Sequence, residues 1–277
     1  MSIEWHEDTQ KDRVGRAFDA AAGTYDRFGP PAFAAYGRRL VEVAGVDAGA
    51  QVLDVATGTG AVLVAAAERV GDDGSVVGAD LSGQMVRETS GKVADLALAN
   101  ARVVQMDAER LDFEDDTFDY VLCSFGIFFF PDYKRALADF HRIVRPGGKA
   151  GLNTFGENKA VRDMMELIEQ YELENPFASQ AALATPEKLE GALREAGFDA
   201  VDMTVEESDW VFPSLEHLWR AQFSVGVRAA LDQLSPEQID SFKADLFARL
   251  QPFRRGDEVH LPRRVMYAVG TKPASTA

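Results

Sequence analysis

Two acidic residues and two glycines at the ends of predicted strands have the spacing expected of a nucleoside-binding site. The first strand runs into the turn Asp54-Val-Ala-Thr-Gly58-Thr-Gly60, and the second strand ends at Asp80. Glycines allow a backbone to approach a ligand closely and to adopt positive φ angles. Asp80 follows Gly60 by 20 residues (80 − 60 = 20), about the separation at which a carboxylate reaches the two hydroxyls of a ribose. The pattern therefore predicts a ligand that contains a nucleoside.

Two classes of nucleoside cofactor share this geometry. A dinucleotide fingerprint, G-x-G-x-x-G, that starts at Gly58 needs a third glycine where the chain has Leu63, so close contact with a pyrophosphate is not supported. An acidic residue, Asp54, precedes the glycines instead. A carboxylate there suits a ligand with an ammonium or sulfonium charge better than one with a phosphate. The turn therefore disfavours NAD.

These strand ends belong to a repeated pattern of apolar runs, Gly- or Asp-rich turns and helical segments. From residue 51 to 150 the pattern is typical of βαβ units on a parallel sheet, in which ligands bind outside the carboxyl ends of the strands. We predict the strands Gln51–Ala56, Ser75–Asp80, Val103–Asp107, Phe118–Ser124 and Lys149–Asn153, followed by Ala200–Phe212 and Val259–Gly270. The expected fold is α/β, with a Rossmann-like, doubly wound and mostly parallel sheet of seven strands.

One domain is expected to span residues 1–277. Residues 1–45 would form an N-terminal helical lid, residues 46–155 the cofactor-binding core, and residues 156–277 a C-terminal half. Within that half, residues 213–257 have the pattern of a helical pair inserted between two strands. The lid and the insertion would together form a helical cap that shapes an acceptor pocket over the strand ends.

The charge and the composition disfavour several classes of function. The chain has 277 residues, and its 29 Lys and Arg against 45 Asp and Glu give a formal charge of −16, which repels the phosphates of nucleic acids. No apolar run approaches the roughly 18 to 20 residues of a membrane span, so we expect a cytoplasmic protein, either a monomer or a homodimer. The single cysteine, Cys123, lies in an apolar run and is expected to be a buried apolar residue. No Cys/His cluster predicts a metal site.

The order and spacing of these motifs resemble the class I S-adenosylmethionine-dependent methyltransferases, most closely the branch related to ubiquinone and menaquinone biosynthesis, also called methyltransferase type 11. The resemblance covers roughly residues 25–155. Its matching stretches are Val52-Leu-Asp-Val-Ala-Thr-Gly-Thr-Gly60, Val77-Gly-Ala-Asp-Leu-Ser-Gly-Gln-Met85, Gln105-Met-Asp-Ala-Glu-Arg-Leu111, Phe118-Asp-Tyr-Val121 and Arg142-Ile-Val-Arg-Pro-Gly-Gly148. The resemblance implies S-adenosylmethionine as co-substrate and methyl transfer to a small molecule such as a quinone, polyketide or terpenoid of secondary metabolism.

The resemblance also implies which residues hold the methionine portion of the cofactor. They are the residues of the first turn, Asp54, Ala56, Thr57, Gly58 and Gly60. Ser124, at the end of the fourth strand, would lie beside the methionine tail. The early pair Tyr25-Asp26 matches a lid tyrosine near the cofactor carboxylate. The family often has glycine where this chain has Ala56, so we expect a less free turn at that position.

Further residues are implied to hold the adenosine portion. Asp80 would accept hydrogen bonds from both ribose hydroxyls, while Leu81 and Met85 would pack on the adenine ring. Asp107 would accept a hydrogen bond from the adenine amino group, and Ala108 would offer its backbone N–H.

Two other functions remain open from the residues alone. A nucleic-acid methyltransferase would need a basic surface and a base-gripping motif such as Asn-Pro-Pro-Tyr, where this chain has Ser124-Phe-Gly-Ile. A catalyst that binds S-adenosylmethionine without methylating would keep the same cofactor residues, so the sequence does not separate it from a methyltransferase.

The acceptor side of the site offers candidates outside the matching stretches. His217, in the insertion, is the candidate general base, although methyl transfer does not require one. The apolar face that includes Trp219 is predicted to roof the acceptor pocket, and Phe128–Phe130 could supply an apolar wall. The cluster of Arg254, Arg255, Arg263 and Arg264 is either a solvated surface or an anion site for a substrate carboxylate or diphosphate. An aromatic and acidic lid favours a neutral or cationic amphipathic acceptor.

Overall fold

A sheet of eight strands forms the centre of the computed structural model, which describes residues 9–25, 32–177 and 179–274. The strands are β1 (Gln51–Val55), β2 (Ser75–Asp80), β3 (Ala101–Gln105), β4 (Phe118–Ser124), β5 (Val144–Phe155), β6 (Asp199–Phe212), β7 (Arg254–Arg255) and β8 (Glu258–Thr271). The spatial order is β3-β2-β1-β4-β5-β8-β6, and β7 pairs with β8. Strands β1 to β5 are parallel, whereas β8 is antiparallel to both β5 and β6. The predicted Rossmann-like, mostly parallel α/β fold is confirmed, with the two-residue strand β7 in addition.

Helices cover the sheet and form the cap above its carboxyl edge. They are α1 (Gln10–Ala21), α2 (Ala32–Ala44), α3 (Ala61–Val70), α4 (Gly83–Asp95), α5 (Tyr133–Ile143), α6 (Lys159–Gln170), α7 (Gln180–Leu183), α8 (Pro186–Glu195), α9 (Leu215–Gln222), α10 (Arg228–Leu231) and α11 (Pro236–Leu250). Three of these helices, α9 to α11, occupy the predicted insertion, where the sequence pattern indicates two. The short helix α10 is the addition, since a single turn has too little periodicity to be recognised.

The strand order reverses between β1 and β4, and this reversal opens a crevice at their carboxyl ends. The turn after β1 lies directly against β2, because a Cβ on Gly78 would stand 2.6 Å from Cδ1 of Leu63 and 3.0 Å from Oγ1 of Thr57. Glycine at position 78 therefore allows the close packing of the turn and α3 on the sheet. That packing holds the turn at the crevice.

Two strands, β3 and β5, have bounds that differ by two or more residues from the predicted ones. Strand β3 ends at Gln105, so Asp107 lies in the loop beyond it. Strand β5 begins at Val144, before the Pro-Gly-Gly sequence, because Val144 pairs with Phe118 across an irregularity in the ladder. Neither difference moves a predicted residue away from the carboxyl edge.

Strands β6 and β8 continue beyond the end of β5. The last β5 pair joins Phe155 to Val265, while β6 and β8 remain paired as far as Phe212 and Val259. This two-stranded extension is covered by a second cluster of buried apolar residues from α6, α9, α10 and α11. The extension and its helices thus build an apolar wall next to the crevice.

Among the residues that the structure describes, we find no helix with the length and apolar character that a bilayer span requires.

Candidate cofactor cleft and acceptor cavity

Asp54 holds the turn after β1 from behind. Its Oδ2 accepts hydrogen bonds from Oγ1 of Thr57, at 2.6 Å, and from the backbone N–H of Leu63, at 3.0 Å. Burial raises the pKa of Asp54 to about 7, and the side chain is only 1 % exposed. Neither Asp54 nor Thr57 lines the cleft. The structure thus gives both residues a structural role, because their polar atoms bond to each other and to α3. Their direct contact with the methionine portion, which the resemblance implies, stays a prediction.

The glycines of the same turn have different surroundings. A Cβ on Gly58, which has a φ of 54°, would meet no atom within 4 Å, and Gly58 lines the cleft. Gly60 instead packs against Thr89, whose Cγ2 would lie 2.8 Å from an added Cβ. Ala56 lines the cleft with a φ of 55°, a left-handed conformation that costs an L residue about 1 to 2 kcal/mol. The space above Gly58 and Ala56 is thus open to a ligand, while Gly60 serves packing.

Asp80 joins the ends of β1 and β2 at the floor of the cleft. Its Oδ2 accepts from the backbone N–H of Gly58 at 2.8 Å, and its Oδ1 accepts from the N–H of Ser82 at 2.9 Å. Each carboxylate oxygen has two lone pairs, so both oxygens can accept a further bond from a ribose hydroxyl. Burial raises the pKa of Asp80 to about 6. The carboxylate is thus already oriented, and is ionised at neutral pH.

The apolar lining next to Asp80 differs from the predicted one at one residue. Leu81 is 36 % exposed and lines the cleft. Met85 is fully buried and does not line it, because Met85 lies in the first turn of α4, where its N–H bonds to the capping hydroxyl of Ser82. Met106 lines the cleft beside Ala108 and supplies the second apolar surface. The sequence pattern does not indicate Met106, because this residue directly precedes Asp107 and has no polar side chain that would suggest a ligand contact.

A lysine from the N-terminal helix reaches the predicted adenine end of the cleft. Nζ of Lys11, in α1, lies 2.8 Å from Oδ2 of Asp107 and 2.7 Å from Oε2 of Glu109. Oδ1 of Asp107 accepts from the N–H of Glu109 at 3.0 Å. Burial alone would lower the pKa of Lys11, but the bonds to the two carboxylates raise it above its ordinary value. Lys11 therefore attaches α1 over the cleft, a role that no sequence motif signals.

A larger cavity adjoins the cleft and shares part of its wall. The cleft has an open volume of about 720 Å³ and the larger cavity one of about 1270 Å³. Both are lined by Phe18, Tyr25, Phe125 and Phe129. Ser124 lines the cleft alone. Asp26, the predicted partner of Tyr25 in the lid, lies outside the described residues. The four shared aromatic residues therefore form a common boundary between the larger cavity and the cleft.

Ten aromatic and two methionine side chains are among the described residues that line the larger cavity. Helix α6 contributes Met164 and Met165, and the β6–β8 extension contributes Trp210. Further aromatic lining residues are Phe33, Phe128, Phe155, Phe177 and Phe212. Phe128 and Phe129 thus belong to an apolar wall, as the sequence suggested. Phe130 lines the cleft instead.

The two insertion residues singled out from the sequence lie outside both cavities. His217 is exposed on α9, and the helix presents Leu218, Ala221 and Gln222 to the cavity instead. This position does not support a role for His217 as general base, which stays a prediction. The ring of Trp219 packs against Phe223, at a centroid distance of 5.2 Å, within the apolar cluster of the insertion. Trp219 is therefore not the roof of the pocket.

The arginine cluster of the sequence separates into two kinds of residue. Arg254, Arg255 and Arg264 pair with Asp257, Asp209 and Glu207, respectively. Arg263 lines the larger cavity. The cluster is therefore not one surface, because alternation along β8 turns Arg263 and Arg264 to opposite faces.

We find no group of three or more His, Cys, Asp or Glu residues that could hold a metal ion in the described ranges. Cys123 is buried, and burial raises the pKa of its thiol.

Comparison with known proteins agrees with this architecture. A profile of the ubiE/COQ5 methyltransferase family matches residues 6–174. The chain is 31% identical over 269 residues to nocamycin O-methyltransferase of Saccharothrix syringae, covering 91% of this chain and 96% of that protein. It is 40% identical over 139 residues to the aklanonic acid methyltransferase DauC of Streptomyces sp. strain C5, covering 50% of this chain and 63% of DauC. The chain thus spans less than two thirds of DauC.

A solved structure with the same fold shows that the fold alone does not set the reaction. The crystal structure of the [4+2]-cyclase SpnF aligns with this chain with a TM-score of 0.63 at 17% identity. The alignment covers 96% of this chain and 98% of SpnF. Fold similarity at this identity carries no chemistry. The family profile and the relative matched over 96% of its length do assign the chemistry. The chain belongs to the ubiE/COQ5 methyltransferase family and is an S-adenosylmethionine-dependent methyltransferase of small molecules.

Proposed function

We propose that this enzyme methylates a flat, multi-ring apolar metabolite bound in the larger cavity. The observation that carries the proposal is a cavity whose described lining includes ten aromatic and two methionine side chains, and which shares four of the aromatic residues with the cofactor cleft. Aromatic walls favour planar apolar ligands through stacked and edge-to-face contacts. The names of the relatives, which refer to nocamycin and aklanonic acid, support a secondary metabolite as acceptor.

We assign the cofactor contacts to the residues that line the cleft. Asp80 would accept from the ribose hydroxyls, and Leu81 and Met106 would enclose the adenine ring. Asp107 would accept from the adenine amino group through Oδ2, after Lys11 has shifted toward Glu109. Beyond the ribose, the methionine portion would lie over the open backbone of Gly58 and Ala56, with Tyr25 and Ser124 beside it.

The contribution of the protein to catalysis would be alignment and exclusion of water. When bound, S-adenosylmethionine supplies a methyl group on a positively charged sulfur. Phe125 and Phe129, which border both cavities, would hold the acceptor in line with that methyl group and present aromatic faces to the positive charge. No histidine of the described chain lines either cavity, so we propose that the acceptor loses its proton to solvent before or after transfer.

The acceptor would be amphipathic, since the mostly apolar cavity also has polar lining residues. Gln180 and Arg263 lie among its apolar lining residues. The side-chain N–H of Gln180 donates to the carbonyl oxygen of Phe155 at 2.8 Å, which leaves its amide oxygen free of a described partner. The expected monomer or homodimer stays a prediction, which light scattering after size exclusion tests.

The test combines a cofactor assay with a cavity-filling variant. Purified enzyme would be incubated with S-adenosylmethionine and a panel of hydroxylated anthraquinones and naphthoquinones, with release of S-adenosylhomocysteine and the mass of the product as readouts. Met164→Trp should fill the larger cavity and lower acceptor turnover at least about tenfold, while the Kd for S-adenosylhomocysteine stays unchanged. Trp219→Ala, outside the cavity, is the control. Equal turnover by Met164→Trp and wild type would contradict the location of the acceptor.

A further inference from the structure

Arg263 places a cationic side chain in a cavity whose lining is mostly apolar. Its guanidinium carbon lies 4.5 Å from the ring centroid of Trp210 and 5.7 Å from that of Phe155. Among the described residues that line the larger cavity, no other side chain is charged. The two aromatic rings hold the guanidinium in one place, since a planar cation stacks well on aromatic faces.

Within the described residues, the guanidinium of Arg263 makes no hydrogen bond. Its Nε is fully buried and has no hydrogen-bond partner, and no ion pair to Arg263 occurs within the described residues. Its neighbours in the sequence behave differently, since Nη2 of Arg264 lies 2.8 Å from Oε1 of Glu207. Burial lowers the pKa of Arg263 to about 10, so the side chain is still charged at neutral pH. A buried cation whose donors are unpaired is unfavourable unless a ligand completes it.

Two stacked aromatic rings, Phe155 and Phe125, connect Arg263 to the border of the cofactor cleft. Phe155, which Arg263 contacts, stacks on Phe125 with ring centroids 4.3 Å apart. Phe125 borders both the larger cavity and the cleft. A group bound to Arg263 would therefore lie at the far side of Phe155 from the cofactor cleft.

We propose that Arg263 is a specificity-determining residue that binds a carboxylate of the acceptor. The two Nη donors at the end of an arginine side chain form a planar fork that matches the two oxygens of a carboxylate. Binding the acid at this end of the cavity would fix which part of the ring system faces the methyl donor. The inference rests on the proposed function. It also replaces the expectation of a neutral or cationic acceptor, because no acidic residue lines the described part of the cavity.

The test compares an acid with its uncharged analogue. The binding of anthraquinone-2-carboxylate and of anthraquinone-2-carboxamide would be measured by calorimetry, with S-adenosylhomocysteine present at saturation. Wild type should bind the carboxylate at least tenfold more tightly than the carboxamide. Arg263→Gln should weaken carboxylate binding by roughly 10- to 100-fold and leave carboxamide binding unchanged, and Arg263→Lys should restore part of the difference. Arg264→Gln, which removes an exposed charge from the next residue, is the matched control.

Two controls separate a failure of this inference from other failures. Affinity for S-adenosylhomocysteine and the melting temperature show whether each variant is folded with an intact cleft. Equal affinity of wild type for both probes, or equal weakening of both by Arg263→Gln, would overturn the role of Arg263 and leave the proposed function standing. If neither probe binds to an enzyme that binds S-adenosylhomocysteine, the proposed flat acceptor and the carboxylate site both fail.

Discussion

The substitution Asp80→Asn should stabilise the free enzyme and weaken its binding of cofactor. Burial raises the pKa of Asp80 from its ordinary value of 3.8 to about 6, so the native state holds the proton more tightly than the unfolded chain. For such a group, the stabilising contribution is complete below the unfolded pKa and is lost as the pH rises through the folded pKa. Ionised Asp80 therefore destabilises the free protein at pH 7.

The size of the effect follows from the same pKa values. A difference of one between the folded and unfolded pKa values corresponds to about 1.4 kcal/mol. The rise from 3.8 to about 6 therefore means that the ionised carboxylate costs roughly 3 kcal/mol relative to a neutral side chain. The asparagine amide can accept from the N–H of Gly58 or of Ser82, but not from both, and the lost bond costs about 1 to 2 kcal/mol. We expect a net gain of roughly 1 to 2 kcal/mol at pH 7. Loss of charged acceptors for the ribose should cost about 1.5 to 3 kcal/mol, or 10- to 150-fold in affinity.

Two measurements check this reasoning. Urea unfolding at pH 7 and pH 5 gives the free energy of unfolding of both proteins, and calorimetry at pH 7 gives the Kd for S-adenosylhomocysteine. Between pH 7 and pH 5 wild type should gain about 1.4 kcal/mol from Asp80 that the variant does not, while the contribution of Asp54 is common to both. Glu68→Gln, which removes an exposed carboxylate, is the control. A variant that is less stable than wild type, or that binds the ligand normally, would refute the argument.

Four further predictions use the same assays. S-adenosylhomocysteine at a hundred times its Kd should stabilise wild type by roughly 2.7 kcal/mol, and a thermal shift with NAD but not with this ligand would contradict the cleft assignment. Trp219→Ala should lower the melting temperature and cost less free energy of unfolding than the loss of a fully buried tryptophan, which is about 3 to 5 kcal/mol. The same substitution should leave acceptor kinetics unaltered, and a changed KM would place the residue in the pocket. Lys11→Met should speed cofactor dissociation several-fold in stopped-flow experiments, because α1 loses the bond to Glu109 that it would keep in the cofactor complex, and an unchanged rate would show that the helix does not close the cleft. Cys123 should resist iodoacetamide in the native state and react after unfolding, as mass spectrometry would show, since its thiol is buried and its pKa is raised.

The cofactor half of the site could be predicted from the sequence because its parts are local. A strand, a glycine turn and a helix follow one another from β1 to α3, and Asp80 ends the next strand. Parallel pairing of β1 with β2, in the register that places Asp54 beside Gly78, brings these strand ends together. Short-range geometry therefore limits where each backbone group can lie.

Roles within that local unit needed the tertiary structure. The sequence pattern does not distinguish Asp54, which faces α3, from Asp80, which faces the cleft, since both are carboxylates at strand ends. The same holds for Met85 and Met106, of which only the second lines the cleft. Each role depends on whether the side chain is buried against a packed helix or faces the cleft, and the packing of the helices on the sheet decides this.

The acceptor half was decided by contacts between distant parts of the chain. The spacing of its apolar residues predicts that α9 is amphipathic. Packing against α11 places Trp219 in the apolar cluster, whereas Leu218 lines the cavity. Lys11 and Asp107 are 96 residues apart, and Arg263 reaches Phe155 only because β8 pairs with β5 and extends past its end. Periodicity shows that a helix or strand has two faces, whereas the partner of each face is set by tertiary packing, which no local pattern encodes.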